Sequence, residues 1–152
     1  MTLKMFFTAL LMATFFFASA QHTSTDDNAL AVSGYDVTAY FKGKPMKGSK
    51  AFTAVYDGAI YQFESAENRE AFKKNPSQYA PQYGGYCAFA VGKMNRKVPV
   101  NPETYKIVDG KLMLFFNDLY EGKKLNTLEL WNGDEKGLAP LTTINWARII
   151  AK

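Results

Sequence analysis

Residues 51–72 read AFTAVYDGAIYQFESAENREAF, and they predict a β-hairpin followed directly by a helix. Apolar and aromatic residues on both sides of Asp57 and Gly58 recur at every second position, as Tyr61 and Phe63 do, and this is the period of a β-strand. An Asp-Gly pair between two such runs is a strong signal for a tight hairpin turn, because both residue types tolerate positive φ.

The second part of this segment predicts a helix that begins after Ser65. The serine hydroxyl can accept a hydrogen bond from a free amide of the first turn. Glu67 is favourably placed against the positive end of the helix dipole. The helix should end near Asn75, because Pro76 cannot continue it and restricts the residue before it.

The next segment, residues 79–91, reads YAPQYGGYCAFAV and is the most distinctive in the chain. Gly84 and Gly85 permit a sharp bend or a close approach of two backbones. Residues 86–91 are apolar at nearly every position, and they predict a strand that is central and buried on both faces.

A second Asp-Gly pair, Asp109 and Gly110, predicts another hairpin between residues 105–108 and 111–116. Beyond Asn117 the pattern becomes helical. Its apolar positions are Leu119, Leu125, Leu128 and Trp131. A last short helix is predicted from about Leu141, and it should bury Ile144, Trp146 and either Ile149 or Ile150. Hairpins with helices between and after them indicate an α+β fold, with a small antiparallel sheet built from hairpins and covered by short helices.

The first 20 residues predict a cleavable signal peptide. Lys4 precedes an apolar stretch over residues 5–18, and small residues lead up to Ala20. The stretch is shorter than the roughly 20 residues that a membrane-spanning helix needs. We therefore expect export to the periplasm or the extracellular space, with no stable membrane insertion after processing. Residues 21–31 are predicted as a polar leader and residues 32–152 as a single domain with C-terminal helices.

The charge pattern argues against nucleic-acid binding. The whole chain carries a net charge of +4, and removing Lys4 with the signal peptide leaves +3, dispersed among apolar positions. No stripe of lysine or arginine of the kind that neutralises phosphates is visible in the sequence. The densest basic group surrounds glycine and proline, which indicates a solvated turn; it comprises Lys42, Lys44, Lys47 and Lys50.

Three motifs together resemble the YHS domain family, in particular its exported, single-domain bacterial branch. They are GYDVTAYF at residues 34–41, YDGAIYQFESAENREAF at 56–72 and YAPQYGGYCAFAV at 79–91. The resemblance covers roughly residues 32–117. It implies a metal-binding accessory protein, with copper as the metal.

Cys87 is the only cysteine, and the only histidine, His22, lies in the polar leader. A tetrahedral zinc site needs four such ligands, so the ligand count excludes one. What remains is a Cu(I) ion held by the Cys87 thiolate and a methionine thioether. Met94, seven residues after Cys87, is the preferred methionine. The alternatives are Met46 and Met113. The alternative is that Cys87 packs in the core as a small apolar residue and that no cofactor is bound.

A second hypothesis is a small-molecule or protein-partner binding domain without a metal. Its aromatic pocket would be lined by Tyr35, Asp36, Tyr40, Tyr83 and Tyr86. Alternatively, the aspartate caps a turn and the tyrosines are core aromatics. A cysteine or serine nucleophile needs a nearby base, and the ordered domain is predicted to contain no histidine. We therefore predict that the chain is not an enzyme.

Overall fold

Residues 22–152, the part of the chain that our computed structural model describes, form three antiparallel hairpins and five α-helices. The strands are β1 (Ser49–Tyr56), β2 (Ala59–Phe63), β3 (Asn101–Val108), β4 (Lys111–Phe115), β5 (Asn117–Tyr120) and β6 (Lys123–Asn126). The helices are α1 (Ala66–Lys74), α2 (Pro76–Tyr79), α3 (Ala88–Met94), α4 (Thr127–Gly133) and α5 (Glu135–Ile150). The predicted α+β fold is confirmed, and each hairpin forms its own two-stranded sheet. The signal-peptide prediction for residues 1–20 lies outside the described residues.

The first hairpin and its helix form as the local sequence predicts. Asp57 and Gly58 have φ values of 48° and 73°, and this left-handed turn joins β1 to β2. The Ser65 hydroxyl accepts a hydrogen bond of 3.1 Å from the Asn68 amide, which fixes the start of α1. The helix ends at Lys74, so both predicted ends are confirmed.

The second predicted hairpin, β3–β4, is also confirmed, and its second strand is buried on both faces. Alternate residues of β4 enter two different core clusters. Leu112 and Leu114 belong to the first cluster, whereas Met113 and Phe115 belong to the second. The strand therefore forms the boundary that the two clusters share.

The first core cluster joins the N-terminal segment, the first hairpin and α1 to one face of β4. Its largest buried side chains are Tyr40, Tyr61, Phe63 and Phe72. The second core cluster packs α3, α4 and α5 against the other face of β4, through Ala88, Trp131 and Leu138. Four of the ten buried residues of the first cluster are aromatic, and such side chains bury large areas.

The buried strand predicted over residues 86–91 is wrong, because these residues lead into the helix α3. When nearly every residue of a short segment is apolar, hydrophobic periodicity cannot distinguish a strand from a helix. Alanine is the best helix former, and Ala88 and Ala90 favour the helix. Gly92 lets α3 lie against α5, since a Cβ at this position would collide with the Thr142 side chain.

The helical pattern predicted directly after Asn117 is also wrong, because a third hairpin, β5–β6, comes first. Its turn residues, Glu121 and Gly122, have φ values of 50° and 77°. Helix α5 starts six residues before the predicted Leu141 and continues through Pro140. Ile144 is exposed rather than buried, whereas Trp146 and Ile149 are half-buried and Ile150 is exposed. Among residues 22–152, no helix combines the length and the apolar character needed to cross a bilayer.

The described part of the polar leader packs onto the domain. Ala31 is fully buried, and its amide donates a hydrogen bond of 2.9 Å to the Ile60 carbonyl. The Ser24 amide donates one of 2.7 Å to the carbonyl of Gly84. Residues 22–31 are therefore part of the folded unit, which begins earlier than the predicted boundary at residue 32.

The backbone of the leader lies directly against Gly84. This glycine has a φ of 61°, and a Cβ there would overlap the backbone carbonyl of His22. We expect Gly84→Ala to lower the free energy of unfolding by about 2 to 4 kcal/mol, measured by urea denaturation, because strain and overlap add. Gly43 is a matched control, since its φ is 81° and its Cβ would meet no atom within 4 Å. Equal losses in the two variants would contradict the close-contact explanation.

Candidate functional site

An apolar cavity of about 150 Å³ lies between α3 and the third hairpin. We call it the Cys87 cavity. It is lined by Cys87, Phe89, Ala90, Met94, Val98, Phe116, Tyr120, Leu125 and Thr127. Both residues of the predicted metal pair, Cys87 and Met94, are in this set, so the structure brings the two sulfur-bearing side chains to one cavity.

Helix α3 explains why the two sulfur-bearing side chains share a cavity. Cys87 is the residue immediately before the helix, and its carbonyl accepts the hydrogen bond from the Val91 amide at 3.0 Å. Met94 is the last residue of the helix. A separation of seven residues is close to two helical turns of 3.6 residues, so the two side chains lie on the same side. Asn95 then ends the helix with a left-handed φ of 52°.

The Cys87 thiol is completely buried and has one hydrogen-bond partner in the described residues. Its Sγ lies 3.2 Å from the Thr127 hydroxyl oxygen. That hydroxyl donates its own proton to the Phe116 carbonyl at 2.9 Å, so the thiol is the donor to Thr127. The neighbouring Met94 is 49% exposed and Tyr120 is 55% exposed, which places the open side of the cavity at these residues.

The donor set of the Cys87 cavity suits a soft metal ion. A thiol and a thioether are ligands that favour Cu(I), whereas Ca²⁺ and Mg²⁺ need several oxygen ligands. No carboxylate or imidazole is among the lining residues, and residues 22–152 hold no cluster of three or more His, Cys, Asp and Glu side chains. Met46 and Met113 lie elsewhere: Met113 packs in the second core cluster, and the Met46 carbonyl accepts a hydrogen bond from the Asp36 amide.

Asp36, predicted as a pocket residue, is fully buried and joins three parts of the fold. Its Oδ1 accepts hydrogen bonds of 2.8 Å from both the amide and the hydroxyl of Thr38. Its Oδ2 accepts one of 2.9 Å from the Glu64 amide and one of 2.7 Å from Asn68 Nδ2. The carboxylate therefore caps a turn, which was the alternative to ligand binding, and ties that turn to the start of α1.

Tyr35 and Tyr40 lie near Asp36, and their hydroxyls already have partners. The Tyr40 hydroxyl donates a hydrogen bond of 2.7 Å to the Pro102 carbonyl, and burial raises the pKa of this phenol. The Tyr35 hydroxyl donates a hydrogen bond of 3.1 Å to Glu103. The pKa of Tyr35 is raised, mainly by desolvation and to a smaller extent by the Glu103 carboxylate. Both side chains are therefore neutral phenols that act as hydrogen-bond donors.

Tyr83 and Tyr86 lie in a different neighbourhood, next to Trp146 of α5. Their ring centroids are 6.2 and 6.3 Å from that of the tryptophan. Desolvation raises the pKa of Tyr83, which lines a second, open cavity. The predicted five-residue pocket is thus divided: three residues lie by the first core cluster and two lie by Trp146. Ligand binding by these residues stays a prediction.

Sequence reasoning missed Phe116, Tyr120 and Thr127, which complete the Cys87 cavity from across the fold. The hairpin β5–β6 carries Tyr120, so the wrong helix prediction after Asn117 concealed it. The Glu121-Gly122 pair was the sequence signal for this hairpin turn, although Glu-Gly predicts such a turn less specifically than Asp-Gly does.

Comparison with known proteins yields no match to any protein-family model, curated protein or solved structure. The resemblance of the three sequence motifs to the YHS family stays a prediction.

A substitution at Asp36 tests its structural role. We expect Asp36→Asn to lower the free energy of unfolding by about 3 kcal/mol, because an amide cannot accept all four hydrogen bonds and brings two unwanted donors. Thr38→Val removes one of the four donors and should cost only about 1 kcal/mol. Urea denaturation of both variants measures the difference. If Asp36→Asn is as stable as the wild type, the carboxylate has no structural role, and ligand binding would again be the better explanation for it.

Proposed function

We propose that this protein is an exported accessory domain of the YHS type that binds one Cu(I) ion in the Cys87 cavity. The observation that supports this most is the convergence of the only cysteine and Met94 on one apolar cavity. Thiolate and thioether sulfur are the ligands that select Cu(I) over harder ions. Export is supported by the signal-like residues 1–20.

The chain's own groups define how an ion would be held. Cys87 would lose its proton on binding, because the thiolate is the ligand form. Thr127 would remain bonded to the Phe116 carbonyl and would keep its oxygen beside the sulfur. Met94, at the open side, would supply the second sulfur, and the Cys87 thiolate would neutralise the charge of Cu(I).

The apolar lining also favours Cu(I) over its oxidised form. Phe89, Val98 and Leu125 surround the sulfur side chains and limit access of water. Cu(II) prefers nitrogen and oxygen ligands in a planar arrangement, and the described lining side chains offer only the hydroxyls of Tyr120 and Thr127. A sulfur site with a buried thiol and an accessible thioether at the open side therefore fits a protein that stores or passes on the reduced ion.

An anaerobic competition titration with a chromophoric Cu(I) chelator tests the proposal. We expect the wild-type protein to take up one Cu(I) per chain and Cys87→Ser to take up none, because a hydroxyl does not replace a thiolate. Met94→Leu should weaken binding by about tenfold or more, as expected when one soft ligand is lost.

Met46→Leu is the matched control, because Met46 does not line the Cys87 cavity. It should leave both the stoichiometry and the affinity unchanged. Uptake of Cu(I) by Cys87→Ser at the wild-type level would exclude the proposed site. Equal losses in the two methionine variants would indicate a general effect of methionine replacement.

The size and lining of the same cavity favour a second candidate, a small apolar ligand. Its volume of about 150 Å³ equals that of engineered apolar cavities that stay dry and bind benzene or xenon. In this candidate Cys87 is a packed side chain with a satisfied thiol and has no ligand role.

Xenon and benzene binding, followed by NMR shifts of the cavity methyl groups, distinguish the two candidates. The second candidate predicts saturable shifts in the wild type and in Cys87→Ser, because the cavity shape persists. It also predicts their loss in Ala90→Leu, since the added side chain fills the space. Stoichiometric Cu(I) binding that depends on Cys87, without any benzene-induced shift, would decide against it.

A further inference from the structure

A second cavity, separate from the Cys87 cavity, has a volume of about 320 Å³ and is open to solvent. It lies where the turn of the first hairpin, the Gln82–Gly85 turn, the end of α5 and the leader meet. We call it the aromatic cavity. Its lining residues with aromatic or charged side chains are His22, Tyr56, Asp57, Tyr61, Tyr83 and Trp146. The volume is at the lower end for ligand sites, which indicates a small ligand.

Three half-buried aromatic rings and one buried ring line this cavity. Tyr56 ends β1, Tyr83 lies in the turn over Gln82–Gly85, and Trp146 lies in the last third of α5. All three are half-buried, so their rings are held by the fold and still border open space. Tyr61 is 1% exposed and forms the floor. The negative faces of such rings attract cations, most strongly at tryptophan.

Asp57 provides the only carboxylate among the lining residues that the structure describes. Its Oδ2 accepts a hydrogen bond of 2.9 Å from the Thr23 hydroxyl, which fixes the side chain in the hairpin turn. Within residues 22–152, its Oδ1 accepts no hydrogen bond and is available to a ligand. A fixed carboxylate beside aromatic rings is the combination that recognises an organic cation.

No lysine or arginine lines the aromatic cavity within the described residues. Lys97 lies 5.3 Å from the ring centre of Tyr86 and 5.9 Å from that of Trp146, and neither Lys97 nor Tyr86 is part of the lining. This contact shows that the Trp146 ring is accessible to a cation. Among the described lining residues Asp57 supplies a carboxylate and none supplies an ammonium or guanidinium group, which favours a positively charged ligand.

We propose that the aromatic cavity binds a small organic cation of the quaternary ammonium class. The positive charge would lie against Asp57, and the methyl groups would contact the surrounding rings. Methylated ammonium groups fit this arrangement because they are poorly hydrated and are attracted by both the carboxylate and the ring faces. The site shares no lining residue with the Cys87 cavity, so it does not depend on metal binding.

Calorimetric titration of the protein with choline tests this inference. The comparison ligand is the uncharged isostere of choline, in which a tert-butyl group replaces the trimethylammonium group. We expect saturable choline binding, and binding of the isostere weaker by about tenfold or more, because it has the same shape but lacks the charge. Equal affinities for the two ligands would overturn the proposal.

Two variants test the named contacts. Asp57→Asn should weaken choline binding by about tenfold and leave binding of the isostere unchanged. Asparagine followed by glycine is also favoured in this type of turn, so the hairpin should persist, and an unchanged Tm checks this. Trp146→Leu keeps an apolar side chain but removes the ring, and it should weaken choline binding by about fivefold.

Asp109→Asn is the matched control. Asp109 occupies the same position, with the same φ of 48°, in the Asp-Gly turn of the second hairpin, and it does not line the cavity. It should leave choline binding unchanged. The same loss in both aspartate variants would show a general effect of net charge and overturn the proposal, as would the absence of saturable binding to the wild type. Cys87→Ser should bind choline normally, which separates this result from the metal proposal.

Discussion

The rest of the structure depends on the two-sided burial of β4. Four consecutive side chains of this strand, from Leu112 to Phe115, are at most 8% exposed. Because side chains alternate along a strand, such a run can be buried only if both faces are covered. The first hairpin, α1 and the leader cover one face, and α3, α4 and α5 cover the other. Because β4 contributes two buried residues to each cluster, this one strand joins the two clusters.

Helix α3 links this core to the Cys87 cavity. One side of the helix is held tightly against α5, since Gly92 leaves room for the Thr142 side chain. Cys87, Ala90 and Met94 recur at the spacing of one helical face and lie on the other side. The third hairpin, which follows β4 directly, covers that side incompletely. The cavity is therefore the space between a helix fixed by close packing and a hairpin with exposed Leu119 and Tyr120.

Local chemistry predicted the elements that are defined by a few adjacent residues. The two Asp-Gly turns and the Ser65 cap formed as expected, because their conformations depend on groups within about four residues. The five-residue pocket failed to assemble for the opposite reason. Asp36 is satisfied by Glu64 and Asn68, which are distant in the chain, and this competition for a buried carboxylate has no local signal. Trp146 was expected in the core and instead borders an open cavity.

Cys87 and Met94 line one cavity although the element predicted around Cys87 was wrong. In a strand, two residues seven positions apart are separated by about 23 Å, so Cys87 and Met94 could not share a ligand. In a helix the same separation is about 10 Å along the axis, and the two side chains point to one side. The predicted strand ended at Val91, so it did not fix the position of Met94 relative to Cys87. The residue types around Phe89 also favoured a helix, because alanine and methionine are good helix formers and Ala88, Ala90 and Met94 lie in this segment, although Gly92 does not add to this preference.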